Sequence, residues 1–575
     1  MAATFDAIIR GGSIVDGTGS EPVDGDVAIS NGRITAIGRV SGSATEEIDA
    51  RGRLITPGFV DIHTHYDGQA IWSSRLTPSS LHGVTTVVAG NCGVGFAPCR
   101  SADRELLVGL MEGVEDIPGA VMAEGLTWGW ETFPEFLDVL EQHHHDIDMG
   151  VYLPHSPLRV YVMGQRGANR EPATTDDLAH MRSLAGEAMQ AGAIGFASSR
   201  AFLHRTKNGD PIPSFGVADA EYRAIGAGLR HAGHGIIQVS MDAPRTSFGE
   251  EIEWLRQLAL DSGLPTTFSF GAPNERSDEW KGFLAQIARA NREGVSVTAQ
   301  IFPRPIGMIL GFDLSVNPFC LCESYQPLKA LPLAERISEL RRPEIRGRLL
   351  TEPAGPSPSL LTKVGRMFEY MFQVADSPDY EPDPDSSIAA QARRRGVTPE
   401  SLAYDLLLER NGRAMLAVWM GNYQSGSLDY VHDLLGSENI VLGLGDGGAH
   451  YGMLCDASYP TYLLAYWTRD RRGKRLSIGH AVKSLAADPA KTVGFLDRGI
   501  LAPGYKADIN VIDYGRLSLP APEVSYDLPA GGRRLNQRAN GFELTMVAGR
   551  ITYRNGEPTG ELPGRLVRGA QRRPH

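Results

Sequence analysis

The stretch Pro57-Gly58-Phe59-Val60-Asp61-Ile62-His63-Thr64-His65 decides the fold prediction, because a histidine pair follows a short apolar strand. Side chains two residues apart on a strand point the same way, so His63 and His65 can direct two imidazoles at one ion. Two histidines alone are an incomplete zinc site, and such pairs also occur as ordinary surface or core residues. In a (β/α)₈ barrel, however, active sites lie at the carboxyl ends of the strands. The pair is therefore a candidate metal site.

The middle of the chain alternates between strand and helix patterns, which favours a parallel sheet. The pattern predicts eight strands, which begin near Phe59, Val84, Met149, Ala193, Ile236, Thr266, Val295 and Ile440. Eight parallel strands are the number that closes into a barrel, whereas an open sheet would leave two hydrophobic edges. We therefore predict an α/β protein with a (β/α)₈ TIM-like barrel.

Both ends of the chain show short strands separated by turn residues. Residues 26–29 precede Asn31-Gly32, a typical hairpin dipeptide, and residues 507–512 and 550–553 repeat the pattern near the other end. Neither end is large enough to bury a sheet face alone. We predict one small β-sandwich domain built from residues 1–57 and 485–575, beside a barrel at 58–484.

A long segment separates the seventh and eighth predicted strands, at about residues 302–438. A structureless loop of that length is improbable inside a domain, so the segment is predicted to be an inserted subdomain. Two interpretations stay open: a lid over the barrel mouth, or a packing extension remote from the site.

Composition limits the classes of partner. The 575-residue chain is 42% hydrophobic and has a net charge of −12, which argues against nucleic acid or an anionic membrane as the main partner. The five cysteines do not form a disulfide framework, and neither a signal-peptide pattern nor a membrane-length apolar run is visible. We expect a cytoplasmic protein with a small-molecule substrate, and self-association into a homo-oligomer stays open.

Two further residues fall at neighbouring strand ends. Cys92, in Gly90-Asn91-Cys92-Gly93, follows the second predicted strand, and its thiolate would suit zinc; the alternative is a small buried thiol. Asp446 ends the eighth strand, which neighbours the first strand if the barrel closes. Its carboxylate could bind the metal and accept a proton, or could simply cap a helix.

Taken together, these motifs resemble the amidohydrolase superfamily and, within it, the D-aminoacylase (N-acyl-D-amino-acid deacylase) family. The resemblance covers nearly the whole chain and includes residues 9–19 and 499–508. It implies a barrel with a composite β-sandwich and zinc-assisted hydrolysis of an amide. It also implies roles for four residues: the first-strand ligands His63 and His65, the bridging Cys92 and the catalytic Asp446.

The chain departs from the family pattern at strands five and six, where the family has metal-binding histidines. Strand five here ends Gln238-Val239-Ser240-Met241-Asp242, and strand six reads Phe268-Ser269-Phe270-Gly271, with phenylalanine at the expected histidine. We therefore predict a mononuclear centre, with one zinc ion per chain held by His63, His65, Cys92 and Asp446.

The basic groups with which the family holds the substrate carboxylate are also missing, because His450-Tyr451-Gly452-Met453 replaces a His-Pro-Arg motif. Candidate replacements for substrate binding are Arg200, Arg205, Arg304 and His450, although the first two could lie in an ion-paired loop. His155, beyond the third strand, could polarise a carbonyl as a catalytic residue or could be a structural hydrogen-bonding group. Asp456 and His450 are candidates for supporting Asp446.

These observations predict a metal-dependent hydrolase that cleaves the amide C–N bond of an N-acyl amino acid or a related small amide. Zinc-bound water would attack, with Asp446 as general base and then general acid. Two alternatives stay open. The same centre could hydrolyse cyclic imides, lactones or esters, or the chain could be a degenerate barrel that binds a metal or ligand without turnover.

Overall fold

The protein is built around a parallel sheet. The computed structural model describes residues 4–242, 247–271, 279–355 and 364–574. Within these ranges, eight parallel strands pair in chain order, β1 to β8. Their bounds are Phe59–Asp61, Val84–Ala89, Asp148–Pro154, Gly195–Ser199, Ile236–Ser240, Thr266–Ser269, Val297–Ile301 and Ile440–Leu442. Each strand begins within about two residues of its predicted start, because long apolar runs between turn signals specify strands strongly.

The barrel is nearly closed, as predicted. No ladder joins β1 to β8 in the described ranges, but the segments that follow these strands hydrogen-bond to each other. The Asp446 N–H donates to the His63 carbonyl at 3.1 Å, and the His65 N–H donates to the Gly447 carbonyl at 2.8 Å. This seam brings the histidine pair and the eighth-strand aspartate to the same place.

Helices surround the barrel, and several begin at side-chain caps. Thr132, Thr174 and Ser247 each accept a backbone N–H three residues ahead in a capping box, which satisfies donors that a helix start leaves unpaired. The longer helices around the barrel are Arg104–Glu115, Phe133–Gln142, His155–Met163, Thr175–Ala191, Asp219–Arg230, Phe248–Ser262, Glu279–Arg292 and Ile478–Leu485.

A second sheet, here called the terminal sheet, joins the two ends of the chain. Its strands in the described chain are Thr4–Ile14, Val23–Ser30, Arg33–Gly38, Ser43–Asp49, Leu54–Pro57, Ile509–Ile512, Phe542–Val547, Arg550–Arg554 and Glu557–Pro558. The ends meet where Leu54–Pro57 pairs antiparallel with Ile509–Ile512. Ile9, Val27 and Ile509 share one buried cluster, so neither end completes the core alone. The predicted domain boundaries at 57 and 485 stay a prediction.

The segment between β7 and β8 has its own sheet and core. The strands Ile306–Leu310, Leu416–Gly421 and Met371–Gln373 form an antiparallel sheet. Helices Leu333–Leu340, Pro343–Thr351, Ile388–Arg395 and Pro399–Leu407 accompany it. Phe312, Phe319 and Tyr404 lie in a buried cluster separate from that of the barrel. In the part of the chain described, the helices are too short or too polar to cross a membrane.

Candidate metal centre

The loop after β1 carries His63 and His65 into the carboxyl end of the barrel. Both side chains are buried, and their rings meet edge to face with centroids 5.6 Å apart. Burial lowers the pKa of His63 to about 4 and that of His65 to about 3. Both imidazoles are therefore neutral near pH 7, and each has a nitrogen lone pair that a metal could use.

Cys92 and Asp446 complete a four-residue cluster, here called the metal cluster. The Cys92 Sγ lies 3.4 Å from His63 Nε2, and Asp446 Oδ1 lies 3.6 Å from Nε2 of both histidines. The donor atoms of His63, His65 and Cys92 all fall within 4.8 Å of one another. Nitrogen, oxygen and sulfur donors around a tetrahedral zinc ion lie about 3.3–3.6 Å apart, as its usual bond lengths require. The cluster therefore has both the composition and the spacing of a zinc site.

Polar residues on β5 and β7 hold two members of the cluster. The Gln300 Oε1 lies 2.7 Å from His63 Nδ1. If Nδ1 carries the proton, Nε2 is left bare on the side of the metal cluster. The Cys92 N–H donates to Gln238 Oε1 at 3.1 Å, and the Ser240 hydroxyl donates to Cys92 Sγ at 3.3 Å. These contacts orient the imidazole and the thiol within the metal cluster.

At the end of β6, the side chain that faces the barrel interior is that of a serine, Ser269. Ser269 pairs in register with Ser240 and Gln300, whose side chains reach the metal cluster. Phe270 instead packs on Phe283 of the outer helix Glu279–Arg292, with ring centroids 6.5 Å apart. Phe270 therefore faces away from the metal cluster, because side chains alternate along a strand. That phenylalanine stands at the family's histidine position stays a prediction. An imidazole is nevertheless absent from the described ends of β5 and β6.

Two members of the metal cluster, and one residue beside it, adopt left-handed backbone conformations. The φ angles are 56° at Cys92, 47° at Asp446 and 51° at His450. Such angles are uncommon for residues other than glycine and persist only where the surroundings impose them. In the loops after β2 and β8 these angles help to set the directions of the Cys92 and Asp446 side chains.

A cavity of about 420 Å³ lies beside His450, whose ring centroid is 6.5 Å from that of His65. Of the four predicted substrate-binding residues, two line this cavity and two do not. Arg205 and His450 line this cavity. Arg200 pairs with Glu251 at 3.0 Å, and Arg304 pairs with Asp456 at 2.8 Å. Asp456, expected to support Asp446, thus binds Arg304. The substrate roles of Arg200 and Arg304 stay predictions, which these ion pairs oppose.

His155 lies in a buried polar network. Its Nδ1 is 2.8 Å from Ser198 Oγ, and its Nε2 is 2.8 Å from Glu221 Oε1. Arg159 also pairs with Glu221. Ser198 lies on β4, and its side chain points to the opposite face of the strand from its two neighbours, which face the barrel interior. Glu221 lies on the outer helix Asp219–Arg230. Both ring nitrogens are therefore occupied by structural partners, and the catalytic role of His155 stays a prediction.

Sequence reasoning missed two residues near the metal cluster. Glu115 has its Oε1 3.4 Å from His65 Nδ1, and the half-buried ring of His204 lines the cavity with its Nδ1 2.8 Å from Ser199 Oγ. Glu115 had a detectable signal. It falls four residues after Met111 on the apolar face of its helix, where an acidic residue is out of place.

An eight-stranded parallel barrel with two histidines, a cysteine and an aspartate at its carboxyl rim is the architecture of a metal-dependent barrel enzyme. A model of the amidohydrolase family matches residues 46–553. The chain belongs to this family, and it is an enzyme that hydrolyses carbon–nitrogen bonds other than peptide bonds. The family also indicates a divalent metal as cofactor.

Comparison with individual proteins confirms the resemblance to the D-aminoacylases. An N-acyl-D-glutamate deacylase of Alcaligenes xylosoxydans xylosoxydans is 25% identical, over 99% of this chain and 97% of its own. A solved D-aminoacylase, described as having a binuclear centre with one-metal activation and second-metal attenuation, has a TM-score of 0.65 at 23% identity, over 98% of this chain and 99% of its own. A zinc- and inhibitor-bound N-acyl-D-glutamate deacylase of Bordetella bronchiseptica has a TM-score of 0.64 at 22% identity, over 98% of this chain and 100% of its own. The two structures show a shared fold.

Proposed function

We propose that the protein hydrolyses the amide bond of an N-acyl amino acid or a related small amide, using one zinc ion held by the metal cluster. The observation that carries this proposal is the convergence of the four donors, with three donor–donor separations of 3.4–3.6 Å. Two neutral imidazoles, a thiol and a carboxylate form a donor set that zinc prefers.

A single ion fits this donor set better than two. Ser240 and Ser269 stand at the described ends of β5 and β6, and a serine hydroxyl is a poor substitute for an imidazole ligand. The Ser240 hydroxyl is also engaged with Cys92. The binuclear relative described as active with one metal supports the view that such a barrel works with one ion.

The cavity supports an amide with an apolar group and an acid. Most of its wall is apolar, contributed by Val114, Leu203, Ile306, Met308, Met420 and Met453. Arg205 lines the same cavity, with its guanidinium 4.1 Å from the centroid of the Phe202 ring. A largely apolar pocket with a few polar groups is typical of small-molecule sites. We infer that apolar parts of the substrate occupy this wall and that Arg205 binds the substrate carboxylate.

Asp446 is the residue that moves the proton in this mechanism. Its side chain is 20% exposed, whereas those of His63 and His65 are at most 2% exposed, so its carboxylate is the most accessible of these three groups. Bound zinc supplies Lewis-acid activation of the attacking water and of the scissile carbonyl. Asp446 accepts the proton of the attacking water at a carboxylate oxygen and donates it to the leaving nitrogen.

The test combines metal analysis with a substrate screen. Purified protein should contain about one zinc per chain, and a His63→Ala variant should lose both zinc and activity. A His180→Ala variant, changed at an exposed helical histidine, should keep both. The panel should include N-acyl amino acids of both hands, dipeptides, cyclic amides and lactones. A wild-type protein that binds no zinc, or that hydrolyses only lactones, would overturn the proposal.

A further inference from the structure

Glu115 is a buried acid at the end of the helix Arg104–Glu115. Its side chain is 1% exposed, and neither carboxylate oxygen has a hydrogen-bond partner at normal distance among the described residues. A buried carboxylate without hydrogen bonds is costly, so its presence requires an explanation.

Two histidine nitrogens face this carboxylate. The Oε1 lies 3.4 Å from His65 Nδ1, and the Oε2 lies 3.5 Å from His450 Nε2. The His450 backbone N–H also donates to the Glu115 carbonyl, which fixes the two residues against each other. His65 Nδ1 is itself without a hydrogen-bond partner in the described chain. The carboxylate therefore stands between a metal ligand and a residue of the cavity wall.

We propose that Glu115 is a positioning residue that accepts the Nδ1 proton of His65 and the Nε2 proton of His450. Holding the proton of His65 on Nδ1 leaves Nε2 bare for zinc, and the negative charge makes that nitrogen a stronger ligand. His63 receives weaker support, because its Nδ1 faces the neutral amide of Gln300. This inference rests on the proposed function, since it requires zinc at His65.

The second contact gives Glu115 a role at the cavity. His450 lines the cavity, and its ring centroid is 6.5 Å from that of His65. One carboxylate thus couples the orientation of a metal ligand to that of a substrate-facing residue. Glu115 itself touches neither the substrate nor the ion.

A merely structural role makes the opposite prediction. If Glu115 served only to stabilise the fold, its loss would lower the stability of the metal-free protein and leave zinc affinity unchanged. In the metal-free protein, the desolvation cost of this buried carboxylate is only partly repaid by its two long imidazole contacts. Its replacement by an uncharged isostere should therefore leave the metal-free protein as stable as before, or more stable.

The experiment compares zinc dissociation constants, measured by chelator competition, in wild type and Glu115→Gln. The variant should bind zinc about 10- to 100-fold more weakly, the usual effect of losing a carboxylate behind a metal-bound histidine. The melting temperature of the metal-free variant should equal or exceed that of wild type. The matched control is Asp116→Asn: this neighbouring acid instead accepts Ser315 Oγ–H at 2.9 Å and the Gly452 N–H at 3.1 Å, so zinc affinity should not change.

The outcomes separate this inference from the proposed function. If wild type binds zinc and Glu115→Gln binds it equally well, Glu115 has no positioning role. If wild type binds no zinc, both proposals are overturned. If Glu115→Gln does not fold, Glu115→Asp, which withdraws the carboxylate by one methylene, should show the same direction of change in zinc affinity.

The His450 contact is tested by a double-mutant cycle on kcat/KM with Glu115→Gln and His450→Asn. If the two residues act together, the fold-decrease in kcat/KM of the double variant should be smaller than the product of the fold-decreases of the two single variants. A double variant whose loss equals that product would overturn the His450 part of the proposal.

Discussion

At the residue scale, the metal cluster consists of groups that are costly to bury without an ion. Burial raises the pKa of the Cys92 thiol and depresses the pKa values of His63 and His65. Asp61, beneath His63, has a pKa raised by burial to about 8. Concentrated polar groups at one rim of an otherwise apolar barrel are expected at an active site rather than in a core.

Asp446→Asn should abolish most of the activity, because an amide cannot accept the proton of the attacking water. We expect kcat to fall about 10²- to 10⁴-fold, the range for loss of a general base. Steady-state kinetics together with zinc content check this expectation, since zinc retained at reduced activity separates proton transfer from metal binding. Wild-type kcat in a zinc-loaded variant would contradict the role of Asp446.

His155→Gln should mainly affect stability. Removing the imidazole leaves Ser198 and Glu221 with one buried partner fewer, which should cost about 1–3 kcal/mol of unfolding free energy. Denaturant unfolding and kcat should be measured on the same preparation. A large loss of kcat at unchanged stability would instead support the catalytic role predicted for His155.

At the scale of elements, the segment after β8 explains why glycines surround Asp446. A Cβ on Gly445 would lie 2.0 Å from Asp61 Oδ2 and 2.9 Å from the Tyr459 ring. The segment must approach β1 this closely for Asp446 to reach His63 and His65. Because Gly445 has no side chain, the backbone can come this close to β1, and this approach places the Asp446 carboxylate.

Gly445→Ala should therefore damage the site from outside the metal cluster. Overpacking of this kind costs about 1–3 kcal/mol, and displacement of Asp446 should reduce both zinc affinity and kcat. Gly282→Ala is the control, because nothing lies within 4 Å of the position where its Cβ would be, on the exposed face of a helix. That change should be neutral or slightly stabilising. Equal behaviour of the two variants would contradict the steric explanation.

The insertion between β7 and β8 contributes Ile306, Met308 and Met420 to the cavity wall. If this wall holds an apolar group of the substrate, Met420→Ala should lower kcat/KM for long-chain N-acyl substrates by about 5- to 50-fold, with little effect on N-acetyl substrates. Kinetics over a series of acyl or side-chain lengths measures this. An effect independent of length would argue against the assigned wall.

At the scale of the whole molecule, a largely buried charge network joins the barrel to the segment that precedes the strand Ile509–Ile512 of the terminal sheet. Asp148, the first residue of β3, pairs with Arg498 at 2.6 Å and with Lys506 at 2.9 Å. Burial alone would raise the pKa of Asp148, but Lys506 and Arg498 outweigh it and hold the pKa below its usual value. These contacts bridge segments far apart in the chain.

Asp148→Asn should destabilise the protein near pH 7, by less than the roughly 3–5 kcal/mol of a fully broken buried ion pair. Arg498 and the half-buried Lys506 each lose one carboxylate partner but keep another, Asp497 and Asp508 respectively. The folded-state pKa of Asp148 is below its unfolded value, so its stabilisation is present above about pH 4 and is lost as the pH falls through the folded pKa. The difference in melting temperature between variant and wild type should therefore shrink below about pH 4. A difference independent of pH would exclude the ionised carboxylate as its cause.

Local pattern was enough to predict most of the framework. The starts of β1 to β8 follow from apolar runs between turn signals, and the pairing of the two chain ends follows from their small size. His63, His65, Cys92 and Asp446 were predictable because each falls at a strand end, and parallel strand ends of a barrel share one rim.

Only the tertiary structure determined which polar groups surround that rim. Glu115 lies on a helix, and the sequence around it does not predict that its carboxylate contacts His65 and His450. Arg304 and His155 have sequence positions that fit a site, and only the structure shows that each also has a buried carboxylate partner distant in the chain. The local periodicity of the strands determines how β1 to β8 pair. The contacts of a long polar side chain instead depend on elements distant in the chain, and their positions are defined only when the barrel closes.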